Sequence, residues 1–90
     1  MRMADIITAK LTQAFEPISL QVIDESHHHE GHSGSRPGGQ THFRINIVAA
    51  AFGGKSRLER HRLINAALAD ELARSVHALA IHAAAPDEHG

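Results

Sequence analysis

Between Thr41 and Val48 the chain reads THFRINIV, the cleanest alternation in the sequence. Phe43, Ile45 and Ile47 fall on one face and His42, Arg44 and Asn46 on the other. A strand with this pattern belongs in a sheet with one covered and one polar face, and a slip of one residue would reverse the two. The apolar face therefore needs a helical layer and neighbouring strands. Ile18, Leu20 and Val22 alternate with Ser19 and Gln21 in a first strand that ends near Asp24. Val76 to His82 is short and apolar and predicts a third strand, with His77 at its entry on the face of Leu79 and Ile81, partly buried. From Ala4 to Glu16, Ile7, Leu11, Ala14 and Phe15 recur at helical spacing until Pro17 stops the run. Ala49 to Phe52 suits a helical turn before Gly53-Gly54, and a long helix over Arg57–Arg74 presents Ile64, Ala67, Leu68 and Leu72 to the core. The order αββααβ predicts an α+β domain: a three-stranded mixed sheet, two strands antiparallel and the third returning through a helix, with helices on one face.

Ninety residues support one core, so residues 1–85 are expected to form a single domain and 86–90 a frayed tail. The absence of Cys excludes disulfides, thiol nucleophiles and any cluster held by the chain's own thiolates. With three Phe and no Trp or Tyr, a single-strand nucleic-acid platform built on stacking has almost no material. Nine Lys/Arg against ten Asp/Glu give a charge near zero, so nucleic acid could be held only by a local patch. The first ten residues carry no apolar leader and no run is long enough to cross a bilayer; a cytoplasmic protein without membrane contact is expected.

Nine His in ninety residues is the compositional outlier, and imidazole binds transition metals while neutral. Residues 25–40, ESHHHEGHSGSRPGGQ, form a long connection without periodicity that carries His27, His28, His29 and His32. A His run in a loop is by itself a weak signal, at most a zinc or nickel buffer. His29-Glu30-Gly31-His32 is not a metalloprotease motif, since Ser33 stands where H-E-x-x-H needs His and the Gly-rich segment cannot form the helix. Asp24, Glu25, Ser26 and His27 place triad residue types side by side, but a triad needs rigid convergence rather than adjacency, and a strand-end turn explains them. His77 alone reads as a core-edge histidine; the loop histidines make it a candidate ligand.

The second constellation is Lys55, Arg57, Arg60, His61 and Arg62 around the start of the long helix, offset by Glu59. Cations there oppose the helix dipole, which favours either a solvated face or an anionic partner. Gly53-Gly54 does not complete a K-homology G-x-x-G loop, because position 56 is Ser.

Taken together, DESHHH at Asp24–His29, THFRINIV at Thr41–Val48, RHRLINAALADEL at Arg60–Leu72 and VHALAIH at Val76–His82 resemble the BolA family over roughly Glu16–His82. The resemblance implies a class II K-homology-like fold and a non-enzymatic role beside a monothiol glutaredoxin, sharing a 2Fe-2S cluster in iron-sulfur trafficking or iron sensing. The partner would give a cysteine and a glutathione thiolate. This side would give His77 and a loop imidazole, His29, with His28, His32 and His27 as alternates. No cluster is expected in the isolated protein. Two imidazoles on one iron resemble a Rieske arrangement, in which neutral nitrogen in place of thiolate raises the potential. The family's other activity, DNA binding and transcriptional control, would draw on Lys55, Arg57, Arg60, His61 and Arg62 for phosphate contacts.

Overall fold

The computed structural model describes residues 2–25 and 42–88. Helix α1 (Met3–Phe15) leads into β1 (Ser19–Asp24); β2 (His42–Val48) is followed by a 3₁₀ turn at Ala50–Phe52. Helices α2 (Arg57–Ala67) and α3 (Ala69–Arg74) then lead to β3 (Ala78–Ala84) and a last 3₁₀ turn at Pro86–Glu88. The sheet order is β1-β2-β3, with β1 antiparallel and β3 parallel to the central β2. This is the expected α+β architecture, a three-stranded mixed sheet backed by helices. No helix among the described residues is long and apolar enough to cross a membrane.

The alternation of β2 sorts as expected: Phe43, Ile45 and Ile47 are buried, while Arg44 is exposed on the opposite face. The register aligns inward residues into rows across the sheet, Val22–Ile45–Ile81 and Leu20–Ile47–Ala83, and the helices close over them. Ile7 and Leu11 of α1 and Ile64 and Leu68 complete the core, with Phe15 packed against Phe52 at 5.0 Å between ring centroids and a tilt of 40°. Ala14, on the expected apolar stripe of α1, is exposed, so that stripe is narrower than the spacing suggests. Glu16 ends α1 in the left-handed region (φ 47°), its N–H donating to the Thr12 carbonyl, and Pro17 cannot extend the helix.

Three expected boundaries move. The long helix divides at Leu68 (φ −108°, ψ 20°), which leaves helical geometry while its side chain stays in the core. Asp70 and Glu71 occupy the first turn of α3, where carboxylates suit a new helix start. Glu71 is 9% exposed and bonds Lys10 Nζ at 2.9 Å, pinning α3 to α1. The third strand starts at Ala78 rather than Val76, because Val76 is drawn into the core and its N–H, like that of Ser75, donates to the Glu71 carbonyl at 2.9 Å. The strand then runs to Ala84, as far as β2 offers partners, with Val48 opposite Ala84. The tail is also ordered further than expected. Ala85 is buried and Pro86–Glu88 form a turn fastened by Glu88.

Candidate functional site

Two groups of polar residues lie at opposite ends of β3. At its start, the parallel register sets Ala78 beside His42, the first residue of β2. His77, one residue ahead of the strand, then stands against His42, with ring centroids 5.2 Å apart and planes tilted by 50°. The expected placement of His77 on the strand, partly buried among Leu79 and Ile81, is not what is found. His77 is exposed between two anchors, the buried Val76 and the first ladder residue Ala78. It is therefore fixed at the backbone and open at the ring.

The connection between β1 and β2 enters and leaves at this same end. The Glu25 N–H donates to the His42 carbonyl at 2.8 Å, and the Glu25 carboxylate accepts from Arg44 Nε at 3.0 Å. His27, His28, His29 and His32 lie outside the described residues, but Glu25 and His42, which bracket their segment, are joined to each other at this end of the sheet, with His42 against His77. Among the described residues, no three or more His, Cys, Asp or Glu gather as a metal site. The pairing of His42 with His77 is the feature that sequence reasoning missed. Its signal was the parallel return of the third strand, which sets the starts of the two strands side by side.

At the other end of β3 is the basic start of α2. Gly54 turns the chain with φ 74°, and Ser56 caps the helix: its hydroxyl accepts from Glu59 N–H at 3.1 Å, while the Glu59 carboxylate accepts from Ser56 N–H at 2.8 Å. The Ser56 N–H, followed by its hydroxyl, holds the Glu59 carboxyl below the usual carboxylate range. This reciprocal cap answers the helix dipole that the surrounding cations oppose. Ser-Arg-Leu-Glu, a serine followed three residues later by glutamate, was the sequence signal for it.

Lys55, Arg57 and Arg62 are exposed and His61 is half-buried, but Arg60 is turned inward, 9% exposed. Its Nε donates to the Lys55 carbonyl and Nη1 to the Ala83 carbonyl, both at 3.0 Å. Nη1 and Nη2 grip the two oxygens of Glu88 at 2.6 and 2.7 Å. These bonds raise the Arg60 pKa and pull the Glu88 carboxyl down to about 2, with the Ala85 N–H adding to the effect on Glu88. Four of the five guanidinium N–H donors are so occupied, so Arg60 acts as a structural clasp and offers phosphate far less than its exposed neighbours Arg57 and Arg62.

The family of BolA-like proteins has a model that matches residues 11–88, almost the whole of the fold described above. The chain is 51% identical over 84 residues to BolA-like protein 1 of Pongo abelii, covering 93% of this chain and 58% of that protein. It is 43% identical over 82 residues to the DNA-binding transcriptional regulator BolA of Escherichia coli, covering 91% of this chain and 74% of that one. Among solved structures, the BolA domain of SufE1 from Arabidopsis thaliana superposes with a TM-score of 0.85 at 45% identity, covering 94% of this chain and 93% of that domain. What the solved relative shares with this chain is the fold, a small α+β domain with a three-stranded mixed sheet. This chain belongs to the BolA-like protein family.

Proposed function

We propose that this protein is a non-enzymatic partner of a monothiol glutaredoxin that contributes imidazole ligands to a shared 2Fe-2S cluster for iron-sulfur trafficking or iron sensing. The observation that carries the reading is His77, exposed and backbone-anchored at the same sheet end as Glu25 and His42, the two residues that bracket the histidine-rich segment. Donor chemistry supports it. The chain has no Cys, so imidazole is the donor type it would offer such a cluster, and the two thiolates the cluster also needs would come from the partner's cysteine and from glutathione. His77 would hold the cluster on this side together with His29, with His28, His32 and His27 as neighbours able to substitute. Such a cluster supplies iron and sulfide as cargo, or a one-electron couple, and nitrogen ligation sets its potential.

Visible absorption and circular dichroism of the protein mixed with cluster-loaded monothiol glutaredoxin test the reading. His77→Ala should remove most of the mixed-cluster signature with the far-ultraviolet spectrum unchanged. His29→Ala should be milder, and only the combined loop substitution should approach the His77 effect. A mixed-cluster spectrum indifferent to His77→Ala would defeat the assignment, as would reconstitution of a stoichiometric cluster in this protein without glutaredoxin and glutathione.

A second reading, a DNA-binding regulator, is favoured by the name of the Escherichia coli relative and by the exposed Lys55, Arg57 and Arg62 beside His61. With Arg60 occupied and net charge −1, binding through this patch would be electrostatic and salt-sensitive. Nanomolar, sequence-selective binding at physiological salt would place this reading first.

A further inference from the structure

The start of α2 and the second half of β3 enclose a cleft of about 460 Å³, within the size range of small-ligand pockets. It is at the far end of β3 from His77, five residues and roughly 16 Å along the strand at ~3.3 Å per residue, so it is independent of the proposed cluster ligand. Lys55, Arg57 and His61 line it from the helix side and His82 from the strand, while Ile81 and Ala83, half-buried on the other face of β3 from His82, border it with apolar surface at the strand edge.

The charge in this cleft is unbalanced. Arg60 and Glu88 also line it, but they cancel one another through their two-pronged contact. Among the described residues neither Lys55 nor Arg57 has an ion-pair partner, and the nearby Glu59 carboxylate is turned to the helix cap. Among the described residues, two cations outside any ion pair thus share one concavity with two imidazoles. The cleft already accommodates an oxyanion of its own: the Glu88 carboxylate, received by the Arg60 fork and the Ala85 N–H. The remaining donors, an ammonium, a second guanidinium fork and two imidazoles, match the several oxygens of a phosphate monoester. The apolar edge would take the organic group.

We propose that this cleft binds a small organic phosphate, the phosphoryl group between Lys55, Arg57, His61 and His82 and the organic part against Ile81 and Ala83. A concave site with an apolar edge suits a small molecule better than the backbone of a duplex, which the outward Arg62 faces more directly.

Amide shifts in two-dimensional NMR, followed while the full chain is titrated with inorganic phosphate and with phenyl phosphate, test the proposal. Both should move the amides of residues 55–61 and 81–84 in a saturable way. Phenyl phosphate should bind more tightly, with a dissociation constant at or below roughly 1 mM. Lys55→Gln combined with Arg57→Gln should weaken it about tenfold or more at unchanged melting temperature. Shifts that fail to saturate below roughly 10 mM, or that survive the double substitution, overturn the proposal. So does a DNA duplex that moves the Arg62 and Leu63 amides while phenyl phosphate moves none, since the cations would then serve nucleic acid.

Discussion

Replacing Ile45 by Ala should be among the most costly changes in this fold, and the cost can be worked from its row. Ile45 is fully buried at the centre of the sheet, flanked by Val22 on β1 and Ile81 on β3 and covered by the helices. The substitution deletes three carbons, worth about 2.4 kcal/mol at ~0.8 kcal/mol each. Neighbours on both sides belong to rigid strands and cannot close the gap, so a cavity term brings the total to about 3 kcal/mol. For a chain of this size that is a large part of a total near 5–13 kcal/mol and lowers the melting temperature by roughly 12–24 °C. Ile45→Val, which deletes one carbon, should cost about 1 kcal/mol. Ile23 supplies the control: it is on the opposite face of β1, half-buried, and Ile23→Ala should cost about 1 kcal/mol or less. Urea unfolding followed by far-ultraviolet circular dichroism, with the denaturant slope unchanged, reads all three. Equal losses for Ile23→Ala and Ile45→Ala would refute the register, because a one-residue slip exchanges the faces.

The Glu88 carboxyl titrates at about 2 in the fold against an ordinary 4.5, so its contribution is whole above about pH 4.5 and is lost as the pH falls from there through about 2. The stability difference between the protein and its Glu88→Gln variant should therefore shrink across that window, attenuated by solvent because Glu88 is 44% exposed, and a constant difference would contradict the clasp. Ser56→Ala should cost about 1 kcal/mol of unfolding free energy and Ser56→Asp little, as either residue type can cap; equal losses in thermal melts would show that the cap contributes nothing. Arg60→Ala should lower the melting temperature; if the chain binds DNA through the start of α2, Arg62→Ala should reduce the salt slope of that binding by about one and spare the melting temperature, with Arg60→Ala changing the slope less.

What the sequence showed follows from which forces are local. The alternation of β2 and the spacing of Ile7 and Leu11 are local patterns of burial, and both segments fold as read. The basic residues at the start of α2 were equally visible, but their directions were not. Arg60 differs from Arg57 and Arg62 only in pointing toward Glu88, a partner 28 residues away with no pattern linking the two. His77 was found through its motif, while its exposure depends on Val76 turning into the core under the hold of Glu71. The break at Leu68 is hidden for a similar reason. No Gly or Pro marks it, and it accompanies the tertiary pull of Lys10 on Glu71.

The central position of β2 has a consequence for exchange with solvent. In a strand flanked on both sides, successive amides point alternately to two neighbours, so each finds an acceptor; in an edge strand every second amide points away from the sheet. Deuterium should therefore enter β1 and β3 as a comb, at alternate positions, and leave β2 as an unbroken protected block from Phe43 to Ile47. Freeing the whole block requires both neighbours to leave, so its slowest amides report the free energy of unfolding the whole domain, and the outward amides of the edge strands report local opening that costs less.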